Sequence, residues 1–230
     1  MKVGILEAGV LPRHLASYGR MDAMFRGLLG DGHDYATWTV CEGALPDDPA
    51  ACDAWIVTGS PAGAYDDLPW IAALEGFLKA ARGRARLVGI CFGHQLMAQA
   101  FGGRVAKSEK GWGLGLHTYD VRAREPWMDD AATISIPVSH QDQVVAVPPD
   151  ARVIAASAFT PIAGLAYDGF PAISFQCHPE FDTPFATDLV HLRAGELDDA
   201  TRATALASLQ RPADSARLGR WINAFLATRP

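Results

Sequence analysis

The 230-residue chain is 49% hydrophobic and 20% charged, the composition of a globular protein with enough apolar residues for a sizeable α/β core. Its formal net charge of -6 comes without runs of Lys or Arg, which excludes the electrostatic footprint of a nucleic-acid-binding domain. No apolar stretch approaches the roughly 18 residues of a membrane span, and Glu7 interrupts the opening apolar run, so neither a membrane segment nor a signal peptide is expected.

The first half alternates strands and helices. "KVGILEAG" (2–9) reads as a strand. "GRMDAMFRGLLGDG" then carries Met21, Met24, Phe25, Leu28 and Leu29 at helical spacing and stops at Gly30. "DYATWTVCEG" is a second strand, and "CDAWIVTGSPAG" a third, halted by Gly59 and Pro61. "LPWIAALEGFLKAARG" is a helix with Pro69 in its first turn and Ile71, Leu74, Phe77 and Leu78 on one face. "ARLVGI" is a fourth strand. This alternation predicts an open, mainly parallel, twisted sheet with helices on both faces.

The second half is richer in strands. "GLGLHTYDV", "ATISIPVS", "ARVIAASA", "IAGLAYDG" and "FPAISFQCH" are short candidates separated by Pro, Gly and Asp, predicting a small antiparallel portion. A helical tail is expected over about 185–230, broken near "QRPADS", with Leu218, Trp221, Ile222 and Phe225 on one stripe. No repeat or linker interrupts the chain, so one domain over 1–230 is expected, with a catalytic core over about 1–190. The four cysteines, Cys41, Cys52, Cys91 and Cys177, follow no CxxC spacing and suggest a reducing, cytoplasmic setting.

The chemistry concentrates in "GICFGHQLMAQAFGG" (89–103), where an apolar strand runs into a cysteine flanked by Gly89 and Gly93. G-x-C-x-G is the cysteine counterpart of a nucleophile elbow: a strained strand-to-helix turn lifts the sulfur above the sheet, beside a helix N-terminus that favours thiolate. The Phe92 N–H is then free to donate to an oxyanion. A buried structural cysteine on a tight turn fits this pentapeptide equally well. A base and its orienter are available in "FQCHPEF" (175–181). Pro179 biases His178 towards extended backbone, in which His178 and Glu180 face the same side and Cys177 faces the core. His94, three residues after Cys91, reads as structural. His14, His33, His117 and His191 belong to no motif, "GWGLG" (111–115) lacks the spacing of a phosphate loop, and no H-E-x-x-H or other metal motif is present.

Together, "GICFGHQLMAQAFGG" and "QCHPEF" resemble the class I, triad-type glutamine amidotransferases. The resemblance extends to "VTGSPAGAYDD", which is similar to the family's oxyanion strand, and to "SHQDQV", similar to a segment of GMP synthetase glutaminase domains. It implies a flavodoxin-like fold without a cofactor. It also implies Cys91 as nucleophile, His178 as general acid/base and Glu180 as its orienter, with backbone N–H groups of Ser60 and Phe92 forming the oxyanion hole. Gly59, Gln95, Ser139, His140 and Gln141 would contact a small-molecule substrate. Where the family commonly reads Gly-Gly-Pro, this chain has Gly59-Ser60-Pro61, so the serine bears on a peptide flip at that point.

No ATP-pyrophosphatase loop is legible, so any ammonia acceptor would be a separate synthetase chain. The segment after the first strand resembles stand-alone members and plant γ-glutamyl peptidases. Three readings stay open: hydrolysis of a γ-glutamyl amide, ammonia donation to a synthetase partner, and redox sensing of the DJ-1 type.

Overall fold

A computed structural model describes residues 1–228. The parallel half holds β1 (Lys2–Glu7), β2 (Asp34–Thr39), β3 (Ala54–Val57), β4 (Arg86–Ile90) and, last in sequence, β11 (Ala172–Phe175). Helix α1 (Met21–Leu29) links β1 to β2, α2 (Pro69–Ala81) links β3 to β4, and α3 (Phe92–Ala100) follows β4. Between α3 and β11 lie β5 (Arg104–Lys107), β6 (Gly113–Val121), β7 (Thr133–His140), β8 (Asp142–Ala146), β9 (Ala151–Ala156) and β10 (Gly164–Tyr167). The chain ends in α4 (Thr183–Leu192), α5 (Asp199–Ser208) and α6 (Ser215–Leu226).

Nine strands form one mixed sheet in the order β2-β1-β3-β4-β11-β10-β9-β6-β7. The parallel side ends at β11, which pairs parallel with β4 and antiparallel with β10. The antiparallel strands therefore continue the main sheet rather than forming a separate lobe. The sequence pattern does not resolve β5 and β8, which make a second, two-stranded antiparallel sheet. Both are short, β5 has one buried residue, and β8 begins within the segment read only as "SHQDQV".

Alternation along the parallel strands sorts the core onto two faces. Val3, Ile5, Ile56, Val88 and Ile173 pack with Phe25 of α1 and with Leu218, Trp221 and Phe225 of α6. Leu6, Trp55, Val57 and Leu87 face the other way, against Leu74 and Leu78 of α2 and Leu96 and Met97 of α3. The apolar stripe of the C-terminal helix is thus a cover for the sheet, not an appendage. No helix among the described residues is long and apolar enough to cross a membrane.

One juncture fixes where the site stands. β4 ends at Ile90, and α3 begins at Phe92, so Cys91 alone makes the turn. Its φ of 53° and ψ of −102° are costly for an L-residue, and Cys91 is the only non-glycine with positive φ among the described residues. Both flanking glycines are required sterically. A Cβ on Gly93 would sit 2.3 Å from the Val57 carbonyl oxygen, and one on Gly89 would sit 2.5 Å from the Gly93 oxygen. The first turn of α3 therefore rests directly on the backbone of β3 and β4.

Gly93→Ala should destabilise the protein by about 3 kcal/mol or prevent folding, because the clash is with backbone that has no rotamer to change. Gly76→Ala, in α2 where an added methyl meets nothing within 4 Å, should instead stabilise by about 0.5–1 kcal/mol. Denaturant unfolding of the two variants checks both signs.

Candidate active site

The register between β4 and β11 builds the site. Ile90 pairs with Phe175 in parallel, and the Cys91 N–H continues the ladder by donating to the Phe175 carbonyl at 2.8 Å. Cys91 is one residue past that level on β4, and His178 is three past it on the adjacent strand. Sequence-distant segments thus emerge side by side at the carboxyl edge of the sheet, where open α/β folds place their ligands.

The His178 N–H donates to the Pro137 carbonyl at 2.9 Å, tying the loop after β11 to β7. Nδ1 of His178 donates to Oε1 of Glu180 at 2.7 Å, and the carboxylate side chain is fully buried. The two side chains converge as expected, but not through extended backbone. Residues 178–181 form a turn closed by the Phe181 N–H on the His178 carbonyl at 3.3 Å, with Pro179 as its first central residue. The fixed φ of proline sets such a turn, and this brings the side chains together.

Phe181 and Gly59 confine the imidazole at its face and at its Cε1 edge. The Phe181 ring stacks parallel to it, with centroids 3.9 Å apart and an interplanar angle of 7°. A Cβ on Gly59 would fall 2.7 Å from His178 Cε1, so only glycine fits there. Burial pushes the pKa of His178 down. The Glu180 carboxylate and the Cys91 sulfur outweigh it, acting through charge and hydrogen bonding, and His178 is raised to about 10. The Glu180 carboxylate thus favours the protonated ring. Cys177 packs in the core, and burial pushes its thiol up.

The Ser60 and Phe92 N–H groups donate to no partner among the described residues. The peptide carrying the Ser60 N–H is oriented by Thr58, whose hydroxyl donates to the Gly59 carbonyl at 3.0 Å and accepts from the Ala8 N–H at 3.0 Å. In a trans peptide the Ser60 N–H then points away from Thr58. Ser60 Oγ accepts from the Ala62 N–H at 3.1 Å, so the serine fixes the following turn.

Gln176, which opens "QCHPEF" but to which the sequence pattern assigns no role, donates from Nε2 to the Cys91 sulfur at 3.6 Å. Its Oε1 accepts from Gln95 Nε2 at 3.1 Å, and the same Gln95 nitrogen donates to the Asp142 carbonyl at 2.8 Å. Gln95 thus has its oxygen left to offer a ligand. Gln176 lies two residues before His178, a spacing that could have placed it on the site. Its neighbour Cys177 and the triad residues carry the stronger signal.

Two cavities open on Cys91. One of about 250 Å³ is lined by Gln95, Ser139, His140, Gln141 and charged groups of both signs, including Lys107, Asp66 and Arg193. The other, of about 170 Å³, is lined by His178 and mostly apolar side chains from the loop after β1, the loop after β11 and α4. The loop over 8–18 contributes Leu11, Pro12 and Leu15 to the second cavity, whereas Tyr65 of "GAYDD" lines the first. His94 is structural: Nε2 donates to the Ile162 carbonyl at 3.1 Å, leaving Nδ1 to accept from Ser174 at 2.8 Å. His140 donates from Nδ1 to the Asp142 carbonyl at 3.1 Å, and its Nε2 is buried with no partner among the described residues.

A thiol on a strained elbow, beside a buried imidazole–carboxylate pair at the edge of an open α/β sheet, is equipped for nucleophilic attack on an acyl carbon. The family model for glutamine amidotransferase class-I matches residues 41–191, and the chain belongs to that family of enzymes. It is 30% identical to gamma-glutamyl peptidase 4 of Arabidopsis thaliana over 209 residues, covering 85% of this chain and 82% of that one. It is 33% identical to a glutamine-hydrolyzing GMP synthase subunit of Pyrococcus abyssi over 94 residues, 41% of this chain and 50% of that one. The fold matches a glutamine amidotransferase from Thermotoga maritima with a TM-score of 0.77 at 17% identity, covering 99% of both chains.

The histidines predict a two-sided pH profile. Burial lowers His94 to about 4 and His140 to about 3, while their unfolded imidazoles take up protons near 6.5. Stability should therefore fall as pH drops from about 6.5 towards 4 and below. His178 has the opposite sign: its contribution is complete below about 6.5 and is lost as pH rises towards about 10. In an NMR titration the wild-type His178 should hold its proton past pH 8. Glu180→Gln should bring its pKa down sharply, because burial then opposes the charge with less to offset it.

Proposed function

We propose that the protein hydrolyses a γ-glutamyl amide through a γ-glutamyl thioester on Cys91. The observation that carries this reading is that Cys91, on its strained turn after β4, opens onto the same cavity as the imidazole that Glu180 holds by Nδ1. In the first step the Cys91 thiolate attacks the side-chain amide carbon. The oxyanion is met by the Ser60 and Phe92 N–H groups, each worth roughly 3 kcal/mol in comparable sites. The C–N bond breaks as the His178 imidazolium gives its Nε2 proton to the departing nitrogen. Water then attacks the thioester, giving one proton back to His178. Glutamate leaves and the thiolate is restored, with Glu180 holding the ring throughout.

Gln95, Ser139, His140 and Gln141 would seat the glutamyl portion, whose α-amino and α-carboxylate groups suit a cavity bearing both signs of charge. Likeness to gamma-glutamyl peptidase 4 over most of both chains supports a stand-alone hydrolase. A second reading, an ammonia donor to a separate synthetase, draws on the shorter likeness to the Pyrococcus abyssi GMP synthase chain. Redox sensing at Cys91 draws no support from the family match.

Glutamate release by the purified protein separates these readings. Cys91→Ala should lower the rate by more than about 10³-fold with folding intact, whereas Cys177→Ser should change it by less than about tenfold. Equal loss from both would mean that Cys91 is not the nucleophile. Activity appearing only when a synthetase is bound would favour the ammonia-donor reading.

A further inference from the structure

The two cavities that meet at Cys91 differ in chemistry, and the position of His178 decides which part of the substrate each receives. Building on the hydrolase reading above, the nitrogen that leaves must lie against the group that protonates it. His178 lines the smaller cavity and does not line the larger one. The leaving group therefore projects into the smaller cavity, and the glutamyl portion into the larger.

The walls of the smaller cavity are apolar. Leu11, Leu15, Phe181, Phe185, Leu189 and Leu192 surround it, and its only ionisable side chains are Cys91, His178 and Arg193. Arg193 lines both cavities, but its guanidinium lies 4.0 Å over the Trp112 ring and pairs through Nη1 with Glu196 at 2.9 Å, both partners lining the larger cavity alone, and its Nε is buried with no partner among the described residues. An anionic leaving group would give up its hydration here for few partners, at considerable cost. Ammonia would leave most of the space without contacts. An apolar cavity of about 150 Å³ accepts benzene, so about 170 Å³ suits a short chain or a ring.

We infer that the leaving group is an uncharged, apolar amine, a short alkyl or arylalkyl amine carried as its γ-glutamyl amide, seated among Leu11, Leu15, Phe185 and Leu192. The reaction consumes water and yields glutamate and the free amine. The nitrogen takes its proton from His178, and no redox partner is involved.

The test is a chain-length series in which the basicity of the leaving amine barely changes. The kcat/KM for γ-glutamyl-n-butylamide should exceed that for γ-glutamylmethylamide by at least about tenfold, with γ-glutamylbenzylamide comparable to the butylamide and both glutamine and γ-glutamylglycine slower. Leu192 is exposed enough to change without unfolding the protein, and Leu192→Asp should cut the butyl-to-methyl ratio about fivefold or more. A flat series, an unchanged ratio in the folded variant, or preferred cleavage of γ-glutamylglycine or glutamine would overturn this inference while leaving the hydrolase reading intact. If no γ-glutamyl amide is cleaved and none binds the Cys91→Ala protein in calorimetry, both fall. Tighter binding of the butylamide than the methylamide to Cys91→Ala would support the apolar site independently of turnover.

Discussion

The contact between the first turn of α3 and the backbone of β3 is the constraint on which the rest depends. Gly93 lies so close to the Val57 carbonyl that no side chain fits between them. That closeness leaves the chain one residue in which to pass from strand to helix. Cys91 takes the resulting positive φ, a cost that the surrounding packing of Val88, Ile90, Leu96 and Met97 must offset. The sulfur is consequently held beyond the sheet edge by backbone geometry, and its position does not rely on a flexible side chain.

The second determinant is electrostatic. A charged imidazole inside a protein is expensive unless its charge is met on the spot. Here Glu180 meets it at Nδ1, while Phe181 covers one face of the ring and Gly59 closes against its Cε1 edge. The same burial keeps His94 and His140 neutral, since neither has a carboxylate partner. Three buried histidines of one small region are thus shifted in opposite directions, His178 up and the other two down, because of what surrounds their ring nitrogens.

The aromatic stack also joins the ring to the outer wall of the site. Phe181 and Phe185 cluster with Leu15 of the loop after β1, and Tyr18 of that loop donates to Asp188 of α4 at 2.6 Å. The residues that fix the imidazole plane therefore also shape the apolar cavity beside it. A change in the loop over 8–18 would be felt at His178 through this cluster, although no residue of that loop hydrogen-bonds to the imidazole's partner Glu180.

Much of this was legible in the sequence because it rests on local rules. Short apolar runs gave β1 and β4, and helical apolar spacing gave α1 and α2. The glycine spacing around Cys91 gave the elbow, and H-P-E gave an imidazole with its carboxylate. Short strands with few buried residues, β5 and β8, lack such a pattern. Their pairing is decided by what lies across from them. The same is true of Gln176 beside the sulfur, Thr58 on the Gly59 carbonyl and Phe181 on the imidazole: each acquires its place only when β11 enters the sheet next to β4. The division of the site into a charged cavity and an apolar one is likewise a tertiary property. It joins side chains from the loop after β1, from β7 and from α4, which no local sequence window spans. Local sequence determined which groups could react, because backbone strain and short-range spacing are written within a few residues. The folded sheet alone decided what surrounds them, because burial and contact arise between segments distant in the chain.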